Sequence, residues 1–263
     1  MQNQAQGVFT PYARVNTGTQ TLVAAGLLVF LFGLWVAFSG GLMPSPSETW
    51  HAFQRLVTTR GLFHELWISV RMVFQATLIA TAFSMALSYS QALPFMRPIV
   101  AFVENFRLLS TAGIMFMAMI IVHDGHWVKV FVVTIMLLPF ILGGLAASIR
   151  SIGDDQLNHA RTLKLGHWGT TWEILIRGRF DQVFEAVRQN FAFAWGLIPF
   201  VEGAVRTEGG IGLLLVEEGK YLRLDGLLAT VIVIFIVGKS QDLILKYLRR
   251  TICPYSIIGT GAL

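Results

Sequence analysis

Charge is what this sequence has least of: Asp, Glu, Lys and Arg make up 13% of its 263 residues, against about 25% in an ordinary soluble domain. So little charge cannot cover a soluble surface, which excludes a soluble enzyme. Cysteine is nearly absent as well. Cys253 stands alone, so no disulfide can form within the chain. Aromatic residues are not scarce, and 20 Phe with 7 Trp exclude a disordered chain. The formal charge of +5 would suggest nucleic acid in a soluble protein. At a mean hydropathy of +0.63 it instead fits basic loops held against anionic lipid, and nucleic-acid binding is set aside.

What is present is a series of uncharged apolar runs long enough to cross a hydrocarbon layer of about 30 Å. Residues 21–38 and 72–89 are each 18 residues long, and residues 130–149 give 20. Residues 21–38 exceed a signal-peptide core and no small-residue cleavage site follows, so they read as a retained first helix. Residues 108–122 give 15. They become a full span if residues 98–103 continue the same helix with Glu104 and Arg107 on one face. Residues 189–201 and 226–238 are only 13 each, bounded by charges that a helix packed inside a bundle tolerates better than one facing lipid. The expectation is an all-α integral membrane protein of about six transmembrane helices. With both termini inside, thirteen Lys and Arg fall on inner segments and seven on outer ones, which favours that orientation. The division expected is 1–20 as an inner N-terminal segment, 21–250 as the transmembrane domain with a loop at 150–188, and 251–263 as an inner tail.

The loop at 150–188 reads as structured. Asp154 and Asp155 suit a helix N-terminus, Leu157, Ala160 and Leu163 follow at helical spacing, and Gly166 stops that helix before another begins near Gly169. Spacing alone leaves open whether its apolar face meets protein or headgroups.

Here the chain resembles the permease subunit of a bacterial ATP-binding-cassette importer of type I, in the branch handling nitrate, aliphatic sulfonates, taurine and related small molecules. The likeness covers nearly the whole chain. Pro44, Ser45 and Pro46 resemble the family's segment after the first span, and residues 66–71 its second-span entry. Asn158, His159, Ala160, Arg161, Thr162 and Leu163 fall at its "EAA" coupling motif, with Trp168 where that branch often has tryptophan. Residues 201–204, 209–213 and 222–225 resemble the fifth-span exit and external loop, and Asp242 falls at an acidic position of the last helix. The motif is degenerate. The family pattern opens Glu-Ala-Ala, carries a glycine six residues on and closes with proline, whereas here those positions are Asn158, His159 and Ala160, then Lys164, then Arg177. The segment before the third span also lacks the family's prolines.

The resemblance implies a non-catalytic subunit of the bacterial inner membrane moving a small polar, anionic solute by alternating access. Its implied partners are a second permease copy or paralogue, two cytoplasmic ATPase subunits, a periplasmic or lipid-anchored solute-binding protein and membrane lipid. ATP and Mg²⁺ would sit on the ATPases, since this chain has no G-x-x-x-x-G-K-[ST] phosphate loop and needs no cofactor of its own. Asn158, His159, Ala160, Arg161, Leu163, Lys164, Gly166 and Trp168 would carry the coupling. Two other classes stay open: a permease-like sensor or scaffold, and a membrane enzyme using a polar turn at His123, Asp124 and His126.

For the pathway, the fifth span resembles the family's pathway-lining helix, and its residues fit that role. Pro199 removes a backbone hydrogen bond and can bend the helix, Trp195 and Phe200 flank it, and Glu202 is an intramembrane carboxylate with Arg206 at i+4. A gate in which Glu202 pairs with Arg206 in one state and releases it in the other is expected. Lys239 and Asp242 read as an i,i+3 pair. Gly143, Gly144, Ala147 and Ser148 read as a close-packing face. The Gly cluster at 209–212 reads as a turn or re-entrant loop.

Overall fold

The computed structural model describes residues 17–41, 43–153, 158, 162 and 166–254. Among them the regular structure is helical. Helix α1 (Thr17–Phe38) is apolar all round and buries none of its most apolar window, which suits a helix with lipid or another chain on every side. The chain then turns into α2 (Pro46–Thr59), an amphipathic helix started by a reciprocal cap. Ser45 Oγ accepts from Glu48 N–H (3.3 Å) while Glu48 Oε2 accepts from Ser45 N–H (2.8 Å). Thr49, Ala52 and Leu56 form its buried stripe.

Helix α3 (Leu62–Ser90) and helix α6 (Gly125–Arg150) make the dry core. Small and apolar residues on α3, Met72, Val73, Ala76 and Ala80, meet Val132, Val133 and Ile141 of α6 with no exposure. The two helices run in the same direction. Gln75 reaches His126, Ala76 accepts from Thr134 Oγ1 (3.4 Å), and Leu138 accepts from Ser84 Oγ (3.1 Å), the numbers rising together.

A parallel pair needs a return crossing, and residues 94–121 supply it in a broken form. A 3₁₀ turn (Pro94–Met96) leads into α4 (Arg97–Glu104), another 3₁₀ turn (Asn105–Leu108) follows, and α5 (Thr111–Ile121) leaves at 104°. This corrects the continuous helix expected over 98–122. Leu109 and Ser110 are both extended, so the helical ladder is interrupted there. Glu104 is also held elsewhere, accepting from Arg150 Nη1 at 3.1 Å, so its printed ion pair is with the end of α6 and not with Arg107.

After a short turn of helix (His167–Thr170) and a π-helical turn (Thr171–Arg177) come α7 (Phe180–Ala204), α8 (Ile211–Lys220) and α9 (Leu224–Ile252). Among the described residues four helices, α1, α3, α6 and α9, are long and apolar enough to cross a membrane, and the bent pair makes a fifth crossing if counted as one. Helix α7 has 25 residues, about 37 Å at 1.5 Å per residue. It is long enough to cross, though it carries Asp181, Glu185, Arg188 and Glu202. The stretch at 226–238 belongs to a longer helix than its uncharged run suggested. Its expected burial is not met within the chain, where 11% of the α9 window is buried. Trp50 and Trp67 near one end, and Trp168 and Trp172 near the other, are exposed, as interfacial tryptophans are. Of the small-residue face on α6, Gly144 faces Ala186 of α7, where an added Cβ would stand 3.4 Å from Ala186 Cβ, whereas Gly143 has nothing within 4 Å.

Candidate functional site

The C-terminal end of α7 is tied to three other elements through buried charge. Glu202 has no exposure and accepts from Ser69 Oγ at 2.7 and 2.9 Å and from Gly212 N–H at 2.7 Å. Ser69 Oγ in turn accepts from Ile211 N–H at 2.9 Å. Glu65, one turn earlier on α3, accepts from Gly210 N–H. Three successive backbone donors entering α8 are therefore satisfied by two carboxylates and a hydroxyl, which also complements the helix dipole. Only a glycine-like backbone can present them this way, because Gly209 and Gly210 adopt φ of +78° and +121°. Lys129, fully buried near the start of α6, donates to Gly209 C=O at 2.9 Å.

In this conformation Glu202 is not paired with Arg206. The helix ends at Ala204, Val205 departs from helical geometry (φ −101°, ψ 88°), and the i+4 neighbour is carried away. Arg206 is exposed and its Nε donates to Gly203 C=O at 3.2 Å. The Gly cluster is the start of a helix docked by its own protein's side chains.

At the other end of the same helix, α7 and α9 are joined by a chain of alternating charges. Asp181 meets Arg249 (3.4 Å), Arg249 meets Glu185 (2.7 Å), Glu185 meets Arg188 (2.6 Å), Arg188 meets Asp242 (3.0 Å) and Asp242 meets Lys239 (3.3 Å). The i,i+3 pair expected of Lys239 and Asp242 is present as the last link. Above it, a cavity of about 510 Å³ opens between α7 and α9, lined by Phe191, Trp195, Pro199, Phe235 and the charged trio Arg188, Lys239 and Asp242. Trp195 is nearly buried and donates from Nε1 to Gln241 Oε1 at 2.6 Å.

Of the fifth-span residues singled out from sequence, the structure thus brings Trp195 and Pro199 to this cavity. Phe200 is 43% exposed and outside the lining, and Glu202 and Arg206 lie elsewhere. Glu65, Ser69 and Lys129 are not among the residues that the sequence singled out. The i,i+4 spacing of Glu65 and Ser69 at the head of α3 was the available signal.

In the loop between α6 and α7, Asn158 and Thr162 are helical. His159, Ala160, Arg161, Leu163 and Lys164 lie outside the described residues, as do Asp154, Asp155 and Leu157. Gly166 C=O accepts from Thr170 N–H at 2.9 Å, and the second helix starts at His167, slightly earlier than expected. Trp168 is 74% exposed. The turn at His123, Asp124 and His126 is accounted for by capping and packing. Asp124 Oδ1 accepts from Trp127 N–H (3.0 Å), and His126 bonds Glu208 (2.9 Å) and Gln75 (2.6 Å). Among the described residues no three His, Cys, Asp or Glu side chains gather in a metal-holding group.

Residues 8–252 match the family model described as binding-protein-dependent transport system inner membrane component. The chain belongs to that family. It is therefore a multi-pass inner-membrane component of a transport system, with the type I permease fold. It is similar to the taurine transport system permease protein TauC of Escherichia coli, 21% identical over 252 residues and 90% of each chain. It is also similar to the nitrate import permease protein NrtB of Synechococcus elongatus, 27% identical over 142 residues, which is 53% of this chain and 50% of that one.

Proposed function

We propose that this chain is one permease half of an ATP-driven importer for a small solute with an anionic head. Two permease halves would enclose the path, and separate cytoplasmic subunits would bind and hydrolyse ATP. An external solute-binding protein would deliver the cargo. The reading is supported by family membership, by relatives whose names specify taurine transport and nitrate import, and by this chain's exposed α9 face. Phe235, Ile236, Leu243, Ile244 and Tyr247 there are each more than half exposed among the described residues, which suits contact with lipid or a second permease.

The observation that carries the reading is the mid-span cavity itself. Its volume of about 510 Å³ lies within the usual range for small-molecule sites. Its charged lining would be costly in hydrocarbon unless it served a path or a partner. Coupling would run through the loop at 150–188, placed on the cytoplasmic side with both termini. Its exposed Trp168 would face the ATPase, and α7, which continues from that loop, would move the cavity wall. Alternating access then amounts to nucleotide state biasing a two-state bundle.

Proteoliposomes containing this chain with its ATPase partner and binding protein should accumulate solute only with hydrolysable ATP. A photo-crosslinker placed at Trp168 should capture the ATPase. Crosslinks to lipid alone would refute the coupling role, and ATP-independent flux would refute the importer.

A further inference from the structure

The segment 94–108 presents an exposed apolar face beside a polar one. Phe95, Ile99 and Phe102 recur at i, i+4 and i+7 and are 66, 45 and 65% exposed. Arg97, Ala101, Glu104 and Asn105 recur at i, i+4, i+7 and i+8 on the opposite side. Between the two faces Val100 is buried against Leu142 and Ala146 of α6, which fixes the rotation of α4.

Its tilt and depth follow from its neighbours. Helix α5 runs back along α6, with Thr111 Oγ1 bonded to Met136 Sδ at 3.0 Å, and α6 is long and apolar enough to cross the membrane. The segment meets α5 at 104°, close to a right angle, so it lies nearly in the plane of the bilayer. Leu142 and Ala146 stand about 6–12 Å short of the end of α6 at 1.5 Å per residue. In-plane amphipathic helices sit at about that depth, between headgroups and acyl chains.

The polar face is basic. Glu104 is matched by Arg150, which donates to it at 3.1 Å from the end of α6. Arg97 donates from Nε to Gln91 C=O at 3.4 Å, and Arg107 is exposed. Neither makes an ion pair among the described residues. A neutral lipid would match the aromatic side and leave two guanidinium groups without a counter-charge. An anionic phospholipid matches both sides, since guanidinium pairs with phosphate oxygens in a bidentate fork.

We propose that residues 94–108 form an in-plane docking surface for anionic phospholipid, with acyl chains against Phe95, Ile99 and Phe102 and headgroups at Arg97 and Arg107. The leaflet is the cytoplasmic one, which rests on the reading of the loop at 150–188 as cytoplasmic. Through the Glu104–Arg150 pair the surface grips the end of α6 from which that loop leaves.

The test uses the full chain assembled with its ATPase partner, carrying Cys253→Ser to remove the buried native thiol. Spin labels on Ala101→Cys and Phe102→Cys should report opposite environments: oxygen-accessible at 102, accessible to a water-soluble nickel chelate at 101. A fluorophore at 102 is then quenched with brominated phosphatidylglycerol or brominated phosphatidylcholine in mixed bilayers. Phosphatidylglycerol should be preferred by about fivefold or more, and Arg97→Gln and Arg107→Gln should each lower the preference by up to about fivefold. Equal quenching by the two lipids overturns the proposal, as does a preference that survives both substitutions. So does a label at 102 that neither oxygen nor brominated lipid reaches, which would mean that protein covers the face. If the lipid preference holds but an impermeant quencher outside right-side-out vesicles reaches the label at 101, the cytoplasmic placement fails and the lipid surface stands.

Discussion

Ser69→Ala tests whether the end of α7 is a fixed lock or a moving gate. The hydroxyl is buried, donates to Glu202 at 2.7 Å and accepts from Ile211 N–H at 2.9 Å. Its removal leaves a buried amide without its acceptor, at about 1–3 kcal/mol, and takes from a carboxylate a bond worth about 1.5–3 kcal/mol. The two effects share one hydroxyl, and the remaining donors can shift, so the expected loss is about 2–5 kcal/mol. Reversible unfolding in mixed micelles would measure it, and limited proteolysis of residues 205–223 would show whether α8 comes loose first. A double-mutant cycle sharpens the result. Glu202→Gln with Ser69→Ala should show a coupling of about 1 kcal/mol or more, whereas Glu202→Gln with Arg206→Gln should show none beyond about 0.5 kcal/mol, the usual limit for sites without contact. If Ser69→Ala is neutral and Glu202 couples to Arg206, the lock is wrong and the expected gate is restored.

Gly212→Ala would set a Cβ 2.6 Å from Ile198 C=O on α7, so α8 must shift; a loss of about 1–3 kcal/mol is expected, checked by the same unfolding assay. Gly143→Ala, with open space around it, should be neutral or stabilising by up to about 1 kcal/mol. Arg249→Met would take from Asp181 its printed ion pair and from Glu185 one of its two cations, and should lower stability by about 1–3 kcal/mol after allowing for partial exposure, with the effect reduced by salt. Trp168→Ala should leave unfolding unchanged and weaken capture of the ATPase subunit; unchanged capture would move the coupling contact to another part of the loop.

The spans that were easiest to read, α1 and α6, are those where hydrophobic length alone decides the outcome. Residues 21–38 and 130–149 have no charge to interrupt them, and the helices close around them. The break at Leu109 and Ser110 was not legible, because neither residue forbids a helix. It lies in the segment that returns the chain between two parallel helices, where contacts distant in sequence act. Glu202 shows the same limit at the site. Its intramembrane position was visible as a number in the sequence, and the expectation that it must have a partner was sound. Which partner depended on where the helix stopped, and Val205 turns the nearest cation away while bringing Ser69, 133 positions distant, into contact. The cap of α2 is legible in Ser45 and Glu48, a Ser-x-x-Glu spacing.

The two seams of the bundle respond to temperature by different physics. Between α3 and α6 the contact is apolar and dry, so within the bilayer its strength comes from close packing. Between α7 and α9 six ionised groups face one another, and stripping water from ions becomes less costly on warming. Warming therefore shifts the balance of the bundle's cohesion toward the charged seam that walls the cavity.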